Sequence, residues 1–159
     1  GSDAGSRAKM NLAYYTPENM PEGYLQLGHG SEPDDLVVAK GPMVKQATGW
    51  AKVWTDAGSG NKKDYAVWLP TYEQDPDYVA LGVVCTFGTA GVQEPQLALG
   101  MVHKSCCKPA HYGNVVWKDS GTHAKKDLTL NSVMWDDTKV NLMMPSVCTL
   151  MQRPPPIYA

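Results

Sequence analysis

The sequence predicts an all-β fold with a three-fold internal repeat, and three observations support this prediction. No window of about 11 to 18 residues keeps the apolar spacing of an amphipathic helix. Short apolar runs alternate instead with turns rich in the chain's 15 Gly and 12 Pro residues, as strands joined by tight turns require. A motif that contains Asp, Gly and a hydroxyl residue also occurs three times.

The repeated motif is clearest in Trp54-Thr-Asp-Ala-Gly-Ser-Gly60, which is followed by two Lys residues, an Asp and an apolar strand. It recurs 63 residues later from Trp117, and a weaker copy begins at Asp3, 53 residues before its counterpart in the central copy. A second apolar strand follows with Leu-Gly at Gly28 and at Gly82, and in the central copy it is expected to run from Tyr78 to Phe87. Such a repeat indicates one supersecondary element whose copies bury their apolar faces against each other.

The repeat divides a single domain, residues 1–159, into three units. The predicted units are 3–50, 51–113 and 114–152, followed by a Pro-rich tail at 153–159. Units of this length, each with about four strands, favour a β-prism, in which three sheets form the faces of a triangular prism. A β-trefoil, whose repeats are shorter, is the alternative. We expect residues 104–113, which lengthen the central unit, to form a long loop.

Charge and hydropathy exclude some classes of partner. The formal net charge is −2, and acidic and basic residues are interspersed, so the chain offers no broad basic surface to nucleic acid. We therefore expect no nucleic-acid partner. No apolar run approaches the roughly 18 residues that a membrane-spanning helix needs.

The four cysteines are too few for a disulfide-based scaffold. Cys85 and Cys148 occupy equivalent positions in the repeated strands, where free cysteines typically act as small buried apolar residues. Cys106 and Cys107 are neighbours, and neighbouring cysteines rarely bond to each other. The sequence leaves the redox state of all four open.

At these motifs the chain resembles the vacuolar-protein-sorting "sixty-two" family, which repeats Trp-x-Asp-x-Gly-Ser-Gly, Asp, Trp-x-Pro and Gly-Tyr-x-x-Leu-Gly. The central unit matches this pattern at Trp54, Asp56, Gly58, Ser59, Gly60, Asp64, Trp68, Pro70, Tyr78, Leu81 and Gly82. The third unit departs from it at Asn131 and Val133, and the first departs at Asn11 and Tyr15. The resemblance implies a β-prism-type module, in some proteins attached to perforin-like pore formers, and it implies no assigned chemistry.

The first Asp of each motif copy is expected to be structural. An Asp before a Gly turn can accept hydrogen bonds from backbone N–H groups about two residues on, and the Gly supplies a positive φ. Asp3, Asp56 and Asp119 are therefore assigned to the turns. The competing interpretation is that the same turns form a polar binding site at one end of the prism.

The remaining polar residues of the turns are the candidate ligand-binding set. Carboxylates accept hydrogen bonds from sugar hydroxyls, hydroxyls and amides do both, and lysines meet anionic head groups. The set comprises Ser59, Asn61, Lys63 and Asp64 in the central copy, and Thr122, His123, Lys126 and Asp127 in the third. The turns lack the Gln-Asp-Asn-Tyr signature of the monocot mannose lectins.

We assign no metal, cofactor or catalytic residue. Calcium is excluded at the central turn because its two carboxylates are too few and Lys62 and Lys63 lie between them. His103, Cys106, Cys107 and His111 include zinc-binding types, but their spacing fits no standard structural site. A Cys–His nucleophile would also need an orienting group, and none is identifiable nearby. The isolated His29 gives no signal.

The sequence thus predicts a non-catalytic recognition module that binds a glycan or a lipid head group. Such a domain would be the targeting part of a pore-forming or toxin-like protein, secreted or at the cell surface, with a membrane surface as a further partner. The alternative is an intracellular trafficking or scaffold module that binds peptide segments at a sheet edge.

Overall fold

The structure is a computed structural model, and it describes residues 14–58, 60, 64–88, 93–108, 110–120, 128–135 and 137–145. Within these ranges the chain is built from strands, with one short 3₁₀ turn at Lys104–Cys106. The predicted all-β class is confirmed. Among the described residues, all strand pairs of the sheets are antiparallel, and the sheets do not close into the barrel that a β-trefoil would need.

Eleven strands are present in the described part of the chain. In chain order they are β1 (Leu25–Gln26), β2 (Val38–Ala39), β3 (Val44–Gln46), β4 (Gly49–Thr55), β5 (Asp64–Thr71), β6 (Tyr78–Val79), β7 (Val84–Gly88), β8 (Gly100–His103), β9 (His111–Lys118), β10 (Thr129–Trp135) and β11 (Thr138–Pro145). The divisions predicted at 50/51 and 113/114 fall inside β4 and β9.

Four small sheets are formed, with strand orders β1-β2, β3-β8-β6, β4-β5-β7 and β11-β10-β9. Two of them share a plan, because each is centred on the second strand of a long hairpin whose first strand carries a repeated Trp next to the turn. In both hairpins the pairing of the two strands shifts register close to the repeated Trp. The shift lies between Lys52 and Trp54 in the first hairpin and around Asn131 in the second. The second and third motif copies therefore build the same local unit.

Three local expectations differ from the structure. The run from Tyr78 to Phe87, expected as one strand, is divided, because β6 pairs with β8 whereas β7 pairs with β5. β9 begins at His111, inside the expected long loop, because its first residues pair with the end of β10. β3 was not expected, and its pairing with β8 joins the first unit to the second.

The core is formed by inward-facing residues of all the long strands. Its fully buried members include Tyr65, Leu99, Leu130, Leu142, Met143, Met144, Val83, Val84 and Val133. The Leu-Gly motif lies where two units meet, since a Cβ on Gly82 would lie 2.8 Å from the carbonyl oxygen of Leu27 and 3.1 Å from Cα of Gly28. Only glycine permits this backbone approach.

Asn141 joins the third unit to the first. Its Oδ1 accepts hydrogen bonds from the N–H groups of Ser31 and Glu32 at 2.9 and 3.2 Å. Its Nδ2 donates to the carbonyls of Glu32 and Asp34 at 2.8 and 2.7 Å. The amide, 9% exposed, thereby satisfies four backbone groups of a loop that has no strand partner of its own there.

The described cysteines Cys85, Cys106 and Cys107 are free thiols. Cys85 is buried in β7, and burial raises its thiol pKa to about 12. Cys106 is exposed in the 3₁₀ turn, and Cys148 lies outside the described residues. Among the described ranges, none forms a helix with the length and apolar character that a membrane crossing needs.

Candidate functional site

The turn of the β4–β5 hairpin is held by the carboxylate of Asp56. Its Oδ1 accepts a hydrogen bond of 3.1 Å from the N–H of Tyr65, nine residues further along the chain. The backbone N–H of Asp56 donates in return to the carbonyl of Tyr65 at 3.1 Å. Because Asp56 is only 5% exposed, this side chain closes the hairpin from inside rather than facing a ligand.

The β9–β10 hairpin repeats this arrangement at Asp119. Its Oδ1 accepts a bond of 3.0 Å from the N–H of Leu128, and its own N–H donates to the Leu128 carbonyl at 3.1 Å. The sequence predicts a hydrogen bond from an N–H group about two residues after each Asp. In both copies the structure shows a bond across the hairpin, from an N–H group nine residues further on. Asp3, the third member of the structural set, lies outside the described residues.

The glycines of the central turn have the backbone conformation that the sequence suggests. Gly58 and Gly60 have φ of 91° and 74°, in the left-handed region where a side chain is strained. Both are exposed, as is Ser120 in the other turn. The described turn residues next to the buried Asp caps are therefore exposed to solvent.

The two hairpins contact each other in the core near the ends of their first strands. Trp54 and Trp117, each two residues before its Asp cap, pack edge to face with ring centroids 5.6 Å apart. Both rings are 3% exposed, so this contact is a fixed part of the interior. It joins the ends of β4 and β9 that precede the two Asp caps.

Most of the predicted ligand-binding residues lie beyond what the structure describes. They are Ser59, Asn61, Lys63, Thr122, His123, Lys126 and Asp127. Asp64 is described: it is the first residue of β5, it is partly exposed, and it pairs with Gly88 in the sheet. Its position at the exit of the turn differs from that of the buried Asp56.

The His and Cys residues of the central insertion do not converge. His103 Nδ1 accepts from the N–H of Ser105 at 3.2 Å, and Cys107 Sγ contacts the carbonyl of His103 at 3.5 Å. His111 lies apart as the exposed first residue of β9. Among the described side chains, no group of three or more His, Cys, Asp or Glu is arranged to hold a metal ion.

His29 has a structural role that sequence reasoning missed. The ring is 3% exposed, its Nδ1 accepts a hydrogen bond of 3.0 Å from the N–H of Cys85, and it stacks on Tyr14 at 4.5 Å. Burial lowers its pKa from 6.5 to about 4. No periodic signal marked this histidine, because its partner belongs to the next unit.

One solved structure, that of GNIP1Aa from Chromobacterium piscinae, matches 98% of this chain with a TM-score of 0.82 and 32% sequence identity. The match covers 32% of the GNIP1Aa chain, so this chain spans about a third of the length of the protein it resembles. No protein-family model matches the sequence, and no curated protein matches it significantly.

Proposed function

We propose that this chain is a non-catalytic recognition module that binds a glycan or a lipid head group through the ends of its repeated hairpins. The observation that carries the proposal is the contact between Trp54 and Trp117, with ring centroids 5.6 Å apart. It joins the strand ends that precede two equivalent turns, and on this basis we infer that a ligand with repeated polar groups can meet both turns. Loops on a rigid scaffold are where binding residues concentrate.

The caps make these hairpin ends suitable for binding. Asp56 and Asp119 are buried and satisfy backbone N–H groups within each hairpin. The caps fix the strands that flank each turn, and loops carried on a fixed scaffold are where binding residues concentrate. Asp64, partly exposed at the exit of the central turn, is the described side chain that we assign to the ligand.

We also propose a place for this chain in a larger protein, and the comparison supports it. The match to about a third of GNIP1Aa is compatible with a toxin-like module, and we propose that the chain is the targeting part of such a protein, acting at a cell surface. The motif positions Trp54, Asp56 and Gly82 are buried or tightly packed structural positions. This supports the proposed membership of the "sixty-two" repeat family and a β-prism arrangement of the three units.

The experiment compares Asp64→Ala with Asp56→Ala. Binding is measured on an array of plant, insect and mammalian glycans, and on vesicles of phosphatidylcholine with and without phosphatidylserine. Asp64→Ala should weaken binding about ten-fold, equivalent to about 1.4 kcal/mol, at a nearly unchanged melting temperature. Asp56→Ala should lower the free energy of unfolding by about 1–3 kcal/mol, because it leaves a buried N–H without its acceptor.

Two results would contradict the assignment of ligand binding to the hairpin ends. If Asp64→Ala melts as early as Asp56→Ala while binding is untouched, the hairpin ends are scaffold throughout. If neither glycans nor vesicles bind the parent but an extended peptide does, the function is instead the peptide-binding alternative. The edge strand β9, with Val115 40% exposed, would be the place to examine for that activity.

A further inference from the structure

A cluster of aromatic rings lies on the surface at the far end of β5 from its hairpin turn. Tyr72 and Tyr78 have ring centroids 5.0 Å apart with an interplanar angle of 52°. The ring of His103 packs edge to face on Tyr78 at 5.2 Å. All three residues are partly exposed, so their rings form an apolar surface that is open to solvent.

Two exposed charges of opposite sign border these rings. Lys104 Nζ lies 3.0 Å from Asp77 Oδ1, and their side chains are 57% and 45% exposed. His103 Nε2 lies 4.0 Å from Asp77 Oδ2. Because Nδ1 of His103 accepts from the N–H of Ser105, the neutral ring carries its proton on Nε2. The border therefore combines carboxylate acceptors with ammonium and imidazole donors.

The backbone, rather than these side chains, holds the cluster in place. β6 and β8 pair Tyr78 with His103. The N–H of Asp77 donates to Asp75 Oδ1 at 2.9 Å, and the carbonyl of Asp77 accepts from the N–H of Lys104 at 2.8 Å. The side chain of Asp77 is 45% exposed, so its carboxylate can accept hydrogen bonds from a ligand in addition to its ion pair with Lys104.

We propose that this aromatic cluster, Tyr72, Asp77, Tyr78, His103 and Lys104, is a binding site for a neutral saccharide. A pyranose ring presents a C–H face that stacks on tyrosine, and its neighbouring hydroxyls both donate and accept hydrogen bonds. Asp77 accepts from such hydroxyls, whereas Lys104 and His103 donate to them. Small-molecule sites typically combine an apolar aromatic surface with a small number of polar groups.

Other ligand classes fit this geometry less well. A quaternary ammonium group needs rings that enclose it, as in aromatic cages, but Tyr72 and Tyr78 contact each other at 5.0 Å and leave no gap between them. An anionic phosphate would meet the carboxylate of Asp77, which already neutralises Lys104 at 3.0 Å. The balance of charge thus favours an uncharged, hydroxyl-rich ligand.

The site is separate from the hairpin ends proposed above. β5 runs from Asp64 at the hairpin turn to Thr71, one residue before Tyr72. At about 3.3 Å per residue the strand separates the two places by roughly 25 Å. The saccharide proposal therefore stands or fails independently of binding at the hairpin turns.

The test is saturation-transfer NMR with the methyl glycosides of mannose, glucose, galactose and N-acetylglucosamine at millimolar concentration. Phosphocholine and methyl phosphate, both of which carry observable C–H protons, serve as the cationic-head-group and anionic arms. We expect saturation transfer to the ring protons of at least one glycoside. The signal should be lost in Tyr72→Ala, and the affinity for the glycoside should fall about ten-fold in Asp77→Asn. Tyr24→Ala, which removes a tyrosine that is 38% exposed elsewhere, should bind like the parent.

Several outcomes would overturn the proposal. They are the absence of transfer to any glycoside, equal binding by the parent and by folded Tyr72→Ala and Asp77→Asn, and transfer to phosphocholine or methyl phosphate alone. Should Tyr72→Ala fail to fold, Asp77→Asn decides, because the turn at Asp77 is held by Asp75 and by the backbone of Lys104. Asp64→Ala should leave this saccharide signal unchanged.

Discussion

Acidification should destabilise the folded chain through the buried ring of His29. The folded state holds this ring neutral, because Nδ1 accepts from the N–H of Cys85 at 3.0 Å and the side chain is 3% exposed. A proton on Nδ1 would replace that acceptor with a second donor facing the N–H. The folded pKa, about 4, therefore lies below the unfolded value of 6.5.

The direction and size of the effect follow from proton linkage. Since the folded pKa is depressed, the stabilisation is present above pH 6.5 and is lost as the pH falls from there through about 4. For one group with these two pKa values, the loss relative to pH 7 is about 2 kcal/mol at pH 5 and about 3 kcal/mol at pH 4. Small domains are stable by only about 5–15 kcal/mol, so the change is measurable.

The assay is urea unfolding followed by tryptophan fluorescence at pH 7, 6 and 5, for the parent and for His29→Asn. The Asn Oδ1 can replace Nδ1 as the acceptor for Cys85 but takes up no proton in this range. His29→Asn loses the stack on Tyr14, so it should be less stable at pH 7 but should lose about 2 kcal/mol less between pH 7 and 5. The carboxylates are common to both proteins and cancel in the difference.

One result would refute this reasoning. If the free energies of unfolding of the parent and of His29→Asn fall in parallel from pH 7 to 5, His29 does not carry the acid sensitivity. A histidine NMR titration of the folded parent gives an independent check, since one of the four histidines should titrate near pH 4.

Two further predictions concern the joins between the repeated units. Asn141→Ala should lower the free energy of unfolding by about 2–3 kcal/mol in chemical denaturation, because it leaves part-buried backbone groups of residues 31–34 unpaired. The control is Lys139→Ala at an exposed position, which should lower it by less than about 1 kcal/mol. Equal losses in the two variants would contradict the role given to Asn141. Gly82→Ala should destabilise the fold by more than about 1 kcal/mol in the same assay, since its Cβ would meet the Leu27 carbonyl at 2.8 Å. Gly88→Ala is the matched control, because a Cβ there meets nothing within 4 Å, and an equal loss in both variants would remove the packing argument.

Local chemistry was readable from the sequence because it repeats along the chain. The Asp-Gly turns marked Asp56 and Asp119 as structural residues, and the alternation of apolar runs with Gly and Pro indicated strands. A turn and the strands that flank it depend mainly on residues close in sequence. For that reason the sequence was sufficient for the all-β class and for the position of the two hairpins.

The tertiary structure decided whatever depends on which strands become neighbours. The division of Tyr78 to Phe87 between two sheets follows from the pairing of β6 with β8, which no local pattern encodes. His29 and Asn141 occur as single residues, so their hydrogen bonds to other units left no repeat to detect. The aromatic cluster likewise draws on two segments about 25 residues apart, which β6–β8 pairing brings together. Such long-range contacts are set by packing of the whole core, whereas sequence patterns report only the preferences of each segment.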